Sequence, residues 1–329
     1  MLLNRVLAWS SNATKTVGEN SLSRPHLMNE FTLKKLPDPA LLDFGVDRSG
    51  AGYRLEKMGN VVLIRPLPST TARQQNPELW KEAHAIFRES QRGTGDWEFT
   101  VPLPDPWHIE FPLHGGPLQL HVRPSPSGQV GIFLEQLPQW QWLSEITPKG
   151  SRVLSLFAHS GAATLALAQA GAEVVHVDSS RQSLQLARRN ATASHLDAAS
   201  IRWICEDAQR FVTRERTRGN TYDGFVLDPP SWGHGPKGEA FSIDRHLVSL
   251  LTDCAQLLAP TAQGPILLTA HSPGWHHQRL ATVLASAFQA ASSKILPISS
   301  GPLSCTDLHG RQLHLGGFAR SGGIGDTSQ

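Results

Sequence analysis

The sequence predicts an α/β protein in which helices cover a mainly parallel sheet, preceded by a small β-rich α+β domain. Two observations predict this fold class. Residues 152–178 read as a strand, a turn around Gly161, an alanine- and leucine-rich helix and a second strand that ends on Asp178. Beyond Asp178, apolar runs alternate with helix-forming segments, and parallel strands require such crossover helices.

Residues 1–30 are predicted to lie outside the fold. They contain Arg5, Lys15 and Arg24 but no acidic residue before position 19, which loosely resembles an organelle presequence. Because such patterns are only compositional, a disordered tail or a start at Met28 is the favoured interpretation.

Residues 31–130 are predicted to form the small β-rich domain. The Gly-Asn pair at 59–60 favours positive φ and predicts a hairpin between the strands on either side. A helix over residues 77–90 is predicted because Asn76 suits the N-cap and a proline follows it. The predicted strands cover residues 53–58, 61–65, 97–101, 107–111 and 118–122.

Three aromatic residues of this domain, Trp97, Trp107 and Phe111, are able to stack on bases. In short strands such side chains more often pack into the core, and this is the favoured interpretation.

Residues 131–329 are predicted to form the α/β domain. Its helices are predicted over residues 138–146, 162–171, 180–193, 208–218, 239–258 and 275–290. Its strands are predicted over residues 152–157, 173–178, 201–205, 222–227, 265–269, 294–299 and 312–320. Helices of this length between strands favour a sheet that is covered on both faces.

Composition excludes several classes of protein. The formal net charge is +2, so any nucleic-acid site must be a local basic patch. The three cysteines lack metal-ligand spacing, which argues against a disulfide framework and a cysteine-bound metal. No apolar run approaches the roughly 18 residues of a membrane span. We expect a cytoplasmic protein without a metal, or an organellar one if residues 1–30 are a presequence.

The first candidate site lies around Gly161 and Asp178. The glycine lets the backbone approach a ligand at a helix N-terminus, and the strand-end carboxylate can accept hydrogen bonds from ribose hydroxyls. A dinucleotide site needs three glycines in this turn, and only one is present. A ligand with a ribose and no phosphate, such as S-adenosylmethionine, therefore fits better. A plain α/β sheet without a ligand is the alternative for this unit taken alone.

Two further acids are predicted at strand ends. Asp207 follows the third strand of the α/β domain, where it can accept from an adenine amino group. Asp228 follows the fourth strand and precedes two prolines, which fix the turn and leave carbonyls free to accept. Trp232 then offers a stacking surface. A simple strand-ending turn explains one such acid, but three strand-end acids in one sheet favour a binding site.

These motifs resemble a known family, the class I S-adenosylmethionine-dependent methyltransferases. The resemblance is strongest to the branch of bacterial large-subunit ribosomal RNA enzymes that methylate cytosine carbon 5 or guanine nitrogen 7. The motifs are Gly-Ile-Phe-Leu-Glu-Gln at 131–136, Val-Leu-Ser-Leu-Phe-Ala-His-Ser-Gly at 153–161, Val-Asp-Ser-Ser at 177–180, Asp-Pro-Pro-Ser-Trp at 228–232 and Ala-Phe-Ser-Ile-Asp-Arg-His at 240–246. The resemblance implies a Rossmann-like methyltransferase sheet.

The resemblance also implies the roles of residues. The donor S-adenosylmethionine is expected to contact Phe133, Phe157, Ser160, Gly161, Asp178, Ser179, Asp207 and Asp228. The catalytic residues at the methyl acceptor are expected to be Asp228, Pro229, Pro230 and Trp232.

Two departures from the family are visible. Family members have Asp-His-Arg where this chain has Glu135, Gln136 and Leu137, so a basic residue is missing. Cytosine carbon 5 enzymes of the branch carry a nucleophilic cysteine just after the fifth strand, and residues 268–274 contain none. Carbon 5 chemistry needs that nucleophile. Transfer to nitrogen needs mainly a positioned lone pair in line with the donor.

Candidate phosphate contacts follow the acceptor loop, at His234, Lys237 and Arg245. A second basic row comprises Arg210, Arg214, Arg216 and Arg218, and a solvated helix face explains it best. His271 and His234 are both candidates for a general base.

We therefore expect a methyltransferase that acts on a base of ribosomal RNA, more readily at nitrogen than at cytosine carbon 5. The alternatives are a methyltransferase for a small molecule or a protein, and a non-catalytic RNA-binding assembly factor.

Overall fold

The computed structural model describes residues 35–91, 93–234, 240–291 and 297–322. The predicted extension over residues 1–30 and the predicted phosphate contact Lys237 lie outside this range, as does the side chain of His234. Two larger sheets and two short hairpins organise the described chain.

The N-terminal part is built on a five-stranded sheet whose strands lie side by side in chain order. Its strands are β1 Ala40–Val46, β2 Gly52–Met58, β3 Val61–Pro66, β4 Ala85–Gln91 and β5 Thr94–Phe99. Only β3 and β4 pair in parallel; the other neighbours are antiparallel. A separate hairpin follows, formed by β6 His108–Leu113 and β7 Gly116–His121.

The predicted helix over residues 77–90 is wrong beyond its first turn. Asn76 does cap a helix, since its side chain accepts from the Leu79 backbone amide, but that helix, α1, covers only Pro77–Trp80. Strand β4 follows because Ala85 and Phe87 point into the core, and pairing with β3 and β5 outweighs local helix propensity. Strand β1 was not predicted.

The α/β part begins with a 3₁₀ turn, Leu134–Gln136. Its helices are α2 Leu137–Ile146, α3 Ala162–Gln169, α4 Arg181–Ala193, α5 Ala208–Thr217, α6 Ile243–Gln256 and α7 His277–Ala290. Its strands are β8 Arg152–Leu156, β9 Glu173–Asp178, β10 Ile201–Cys205, β11 Gly224–Leu227, β12 Trp232–His234, β13 Ala240–Ser242, β14 Ile266–Ala270, β15 Ser299–Thr306 and β16 Gln312–Ser321.

Seven of these strands form one sheet in the order β10-β9-β8-β11-β14-β16-β15. The first five are parallel, and β16 runs antiparallel to both of its neighbours. From β8 the chain moves outward to β9 and β10, and then returns to β11 on the other side of β8. Open α/β sheets bind ligands beyond the carboxyl ends of the strands at such a switch point.

Two predictions in the C-terminal half are wrong in part. The helix predicted over residues 239–258 begins only at Ile243, because Ala240–Ser242 pairs with Trp232–His234 as a two-stranded hairpin. A strand was also predicted over residues 294–299, of which the structure describes only 297–299. Among these three residues, only Ser299 belongs to a strand, as the first residue of β15.

The three aromatic residues of the β-rich part that were predicted to pack into the core do so. Trp107 and Phe111 are buried, and the Trp107 indole donates to the Met58 carbonyl at 3.0 Å. Trp97 is half-buried, lies edge-on to Phe87 and donates to a backbone carbonyl. One hydrophobic cluster continues from this region onto the parallel sheet, so the β-rich part and the sheet share a packed core.

No helix in the described ranges is long and apolar enough to cross a membrane. Within the same ranges, histidine, cysteine and carboxylate side chains form no group of three that could hold a metal ion.

His176, in the middle of β9, links pH to stability. It is fully buried, and its Nδ1 lies 2.9 Å from the Thr164 hydroxyl. Burial, with a smaller contribution from His159, lowers the pKa of His176 from 6.5 to about 3. Between these two values the unfolded chain binds a proton that the folded chain excludes, so stability is lost as the pH falls.

We expect this residue to make the free energy of unfolding decrease by up to about 1.4 kcal/mol per pH unit as the pH falls below about 6. Urea denaturation of the wild type and of His176→Leu, measured from about pH 7 to pH 4, isolates its contribution. A wild-type slope no steeper than that of the variant would contradict the assignment.

Candidate active site

A cavity of about 500 Å³ opens at the carboxyl ends of β8, β9, β11 and β14. It is bounded by the loop after β8, the start of α4, the Asp228 loop and the 3₁₀ turn. Nine of the predicted site residues line it: Phe133, Phe157, Ser160, Asp178, Ser179, Asp228, Pro229, Pro230 and Trp232. Ligand sites of this kind commonly enclose roughly 300–1,000 Å³.

The loop after β8 has an unusual backbone. Phe157 and His159 adopt positive φ values of 54° and 45°, and Gly161 has φ 84°. A Cβ on Gly161 would lie 2.9 Å from the Cβ of Ala187 in α4. Both the left-handed conformation and the close helix approach therefore require glycine. Gly161 packs against α4 and is not among the residues that line the cavity.

Asp178 is fixed by this loop and by the start of the next helix. One carboxylate oxygen accepts from the His159 amide and the other from the Ser180 amide, each at 2.8 Å. An ionised carboxylate has about four acceptor positions. Two therefore remain for a ligand, and the side chain lines the cavity.

Asp207 lies in a smaller neighbouring pocket of about 40 Å³, together with Glu206. Its carboxylate caps α5 by accepting from the Arg210 amide at 3.0 Å. Asp178, Phe157 and Ser179 border both pockets. The two pockets are therefore adjacent parts of one depression along the ends of β8, β9 and β10.

Asp228 is held at the opposite side of the cavity by two polar residues. The Thr269 hydroxyl, at the end of β14, donates to one carboxylate oxygen at 2.7 Å. The Gln136 amide nitrogen lies 3.4 Å from the other oxygen. These contacts aim the carboxylate into the cavity beside Pro229. Trp232 stands at the rim with 59% of its surface exposed.

Sequence reasoning missed Gln136 and Thr269 as functional residues. Both are buried, and both line the cavity. Thr269 is a polar side chain at the buried end of an apolar parallel strand, and that signal was visible in the sequence. Gln136 lay within a quoted motif, but its partner Asp228 is distant in the chain. His271, one of the two candidate bases, also lines the cavity.

The predicted phosphate contacts are only partly described. Arg245 is exposed on α6 and does not line the cavity. The arginine row on α5 fits the interpretation as a solvated helix face, because three of its side chains form ion pairs with carboxylates of the protein. These pairs are Arg214 with Glu206, Arg216 with Asp253 and Arg218 with Glu215.

A parallel sheet that carries a carboxylate after three of its strands, around one switch-point cavity, is the arrangement of class I S-adenosylmethionine-dependent methyltransferases. The chain belongs to the family described as S-adenosylmethionine-dependent methyltransferase, whose model matches residues 96–276, more than half of its length. The description of this family names S-adenosylmethionine as the cofactor of its members.

Named relatives are similar to part of the chain. The chain is 32% identical over 153 residues to ribosomal RNA large subunit methyltransferase I of Aeromonas hydrophila, covering 46% of this chain and 37% of the relative. It is 32% identical over 133 residues to ribosomal RNA large subunit methyltransferase K/L of Syntrophotalea carbinolica, covering 40% and 18%. The chain thus matches less than half of the length of either relative.

Solved structures agree on the fold. A SAM-dependent methyltransferase from Agrobacterium tumefaciens is 33% identical with a TM-score of 0.77, covering 87% of this chain and 90% of that one. The structure of SMU.776 complexed with SAH has a TM-score of 0.63 at 18% identity, covering 89% and 78%. The second likeness concerns the fold alone.

Proposed function

We propose that this methyltransferase modifies a base of ribosomal RNA, at a nitrogen atom rather than at cytosine carbon 5. The observation that carries the proposal is the held carboxylate of Asp228, which faces the cavity with no cysteine among the described residues that line it. The names of the curated relatives support ribosomal RNA as the substrate.

In this proposal the donor occupies the side of the cavity next to β9. Asp178 accepts the two ribose hydroxyls, because its remaining acceptor positions face the cavity. Asp207, in the adjoining pocket, accepts from the adenine amino group. Phe133, Phe157, Ser160 and Ser179 provide walls, and Gly161 lets the loop approach the donor.

The acceptor base occupies the side next to β11. Asp228 and the Pro229 carbonyl accept from its amino or ring N–H group, while Pro230 keeps the turn rigid. The exposed ring of Trp232 offers a surface on which the extruded base or its neighbour stacks. His234, Lys237 and Arg245 are proposed to contact phosphates, because they follow this loop in the chain.

The three cysteines support nitrogen chemistry. Cys254 is buried in α6, and burial raises the pKa of its thiol. Burial also raises the pKa of Cys305 in β15, with help from the carboxylates of Glu135 and Glu56. Cys205 donates to the Ser179 carbonyl, away from Asp228. A nucleophilic cysteine needs a stabilised thiolate, and the surroundings of Cys254 and Cys305 disfavour one.

Replacing all three cysteines by alanine or serine is therefore expected to preserve methyl transfer, apart from packing losses at Cys254. RNA that contains 5-fluorocytosine should form no covalent adduct with the wild type, since no thiolate attacks the ring. Denaturing gel electrophoresis checks the adduct, and labelled methyl transfer checks the activity. A trapped adduct, or inactivity of a folded Cys305→Ser variant, would restore the carbon 5 mechanism.

The experiment that tests the proposed function is transfer of a labelled methyl group from S-adenosylmethionine to ribosomal RNA from a strain that lacks the protein. We expect nuclease-sensitive label in the large-subunit RNA. Label only in small molecules or protein would favour the alternative substrates. No transfer, together with no binding of S-adenosylhomocysteine, would favour a non-catalytic RNA-binding factor.

We also propose a division of the chain into a β-rich domain over residues 31–130 and a catalytic domain from residue 131. A cytoplasmic location, where ribosomal RNA is accessible, accords with the bacterial origin of the named relatives.

A further inference from the structure

His271 follows β14 and presents one defined tautomer to the cavity. Its Nδ1 lies 2.9 Å from the Leu315 carbonyl oxygen in β16. A carbonyl oxygen only accepts hydrogen bonds, so Nδ1 must carry the proton. In the neutral ring, Nε2 then carries no proton and has a lone pair. The ring lines the cavity, with 31% of the side chain exposed.

Nε2 lies near Asp228, the residue proposed to bind the acceptor base. Nε2 lies 3.9 Å from the nearer carboxylate oxygen of Asp228 and 3.3 Å from the Gln136 amide nitrogen. The contact with Gln136 is at the long end for a hydrogen bond. Gln136 has Thr269 and Asp228 as other acceptors, so Nε2 can exchange this contact for a substrate N–H group.

Two carboxylates face the ring, one near each nitrogen. Glu135, from the 3₁₀ turn, is buried and has a carboxylate oxygen 3.6 Å from Nδ1. Asp228 faces the opposite nitrogen. A proton that arrives at Nε2 therefore lies between the carboxylates of Asp228 and Glu135.

We infer that His271 is the catalytic base that removes the proton from the nitrogen that receives the methyl group. The inference rests on the proposed function at nitrogen. The nitrogen lone pair attacks the methyl carbon, the N–CH₃ bond forms and the S–CH₃ bond breaks. The bond electrons stay on sulfur, which gives neutral S-adenosylhomocysteine. The proton leaves the acceptor nitrogen for Nε2 and passes to solvent through the exposed edge of the ring.

The test uses tritiated S-adenosylmethionine and ribosomal RNA from a strain that lacks the protein, under single-turnover conditions. For the wild type, the rate should fall as the pH is lowered through one ionisation, because the base must be neutral. His271→Asn keeps an amide donor near the Leu315 carbonyl and removes Nε2. We expect its rate near neutral pH to fall by about a hundredfold or more, with that ionisation gone from the profile.

His309→Asn is the matched control, because His309 is exposed in the turn between β15 and β16. It should keep both the rate and the profile of the wild type. Affinity for S-adenosylhomocysteine, measured by calorimetry, should be unchanged in both variants. His271→Gln, which offers its amide near the Nε2 position, is the second substitution and should lose the same ionisation.

A merely structural role for His271 predicts a slower variant with the wild-type pH profile, and that result would overturn the inference while leaving nitrogen methylation intact. Failure of the wild type to methylate the RNA at any pH would instead overturn the proposed function, and the inference with it. Retention of at least a third of the wild-type rate by His271→Asn would likewise reject His271 as the base.

Discussion

Replacing Asp178 by alanine is expected to weaken binding of S-adenosylhomocysteine by about 1.5–3 kcal/mol or more, a loss of roughly ten- to more than a hundredfold in affinity. The carboxylate lines the cavity with two acceptor positions free. Charge-assisted hydrogen bonds to two ribose hydroxyls are stronger than neutral ones. Isothermal titration calorimetry measures the change, and unchanged affinity would contradict the donor-site assignment.

Asp178 also accepts from the His159 and Ser180 amides, so alanine loosens the loop as well as removing the ribose contact. A double-mutant cycle separates the two effects. The partner measurement uses S-adenosylhomocysteine that lacks the 2′-hydroxyl. If Asp178 binds the 2′-hydroxyl, the ligand without this hydroxyl should bind the wild type more weakly than S-adenosylhomocysteine does. Asp178→Ala should bind the two ligands with nearly equal affinity. If removal of the 2′-hydroxyl lowers the affinity of both proteins equally, Asp178 does not bind this hydroxyl. The affinity loss of Asp178→Ala would then come from the loosened loop alone.

Replacing Asp228 by alanine should separate chemistry from donor binding. Single-turnover methylation is expected to fall by about a hundredfold or more, because the acceptor base loses its orientation. Affinity for S-adenosylhomocysteine should stay nearly the same, because Asp228 lies across the cavity from Asp178. Rapid-quench measurement of methyl transfer, combined with calorimetry, tests both expectations.

Thr269→Val is the graded control for this experiment. It removes the hydroxyl that donates to Asp228 at 2.7 Å and nearly preserves the shape of the side chain. We expect a smaller loss of rate than for Asp228→Ala, again with donor affinity intact. Equal losses of rate and donor affinity in Asp228→Ala would mean that Asp228 belongs to the donor site.

The central part of the fold was predictable because local and global preferences agree there. The strand–turn–helix–strand unit over residues 152–178 is confirmed by β8, α3 and β9. Both strands are mostly apolar and mostly buried, β8 reading Arg-Val-Leu-Ser-Leu and β9 Glu-Val-Val-His-Val-Asp, as expected for strands covered on both faces. The strand-end acids Asp178 and Asp228 followed from the same pattern. Their binding roles stay predictions.

The failures come from contacts between distant parts of the chain. Ala85–Gln91 has helix-forming residues and a capped helical start before it, yet it becomes a strand between β3 and β5. The hairpin at Ala240–Ser242 depends on Trp232–His234 in the same way. No local pattern reports such pairing, because strand stability depends on neighbours that the sequence does not identify.

The contacts of Asp228 with Gln136 and Thr269 were likewise not predictable from local sequence. Gln136 belongs to the 3₁₀ turn and Thr269 to β14, and they meet only because the sheet brings these elements together at one edge. The tautomer of His271 depends on the Leu315 carbonyl in β16, which lies 44 residues away in the chain. Geometry of this kind requires the folded structure.

Mass spectrometric mapping of nucleosides in ribosomal RNA tests the central claim most directly. RNA from a strain that lacks the protein is compared with RNA from the same strain carrying the wild type or Asp228→Ala. We predict that one base methylated at nitrogen is absent from the deletion strain and returns with the wild type but not with the variant. Loss and return of 5-methylcytidine, or identical modification in all three RNAs, would contradict the account.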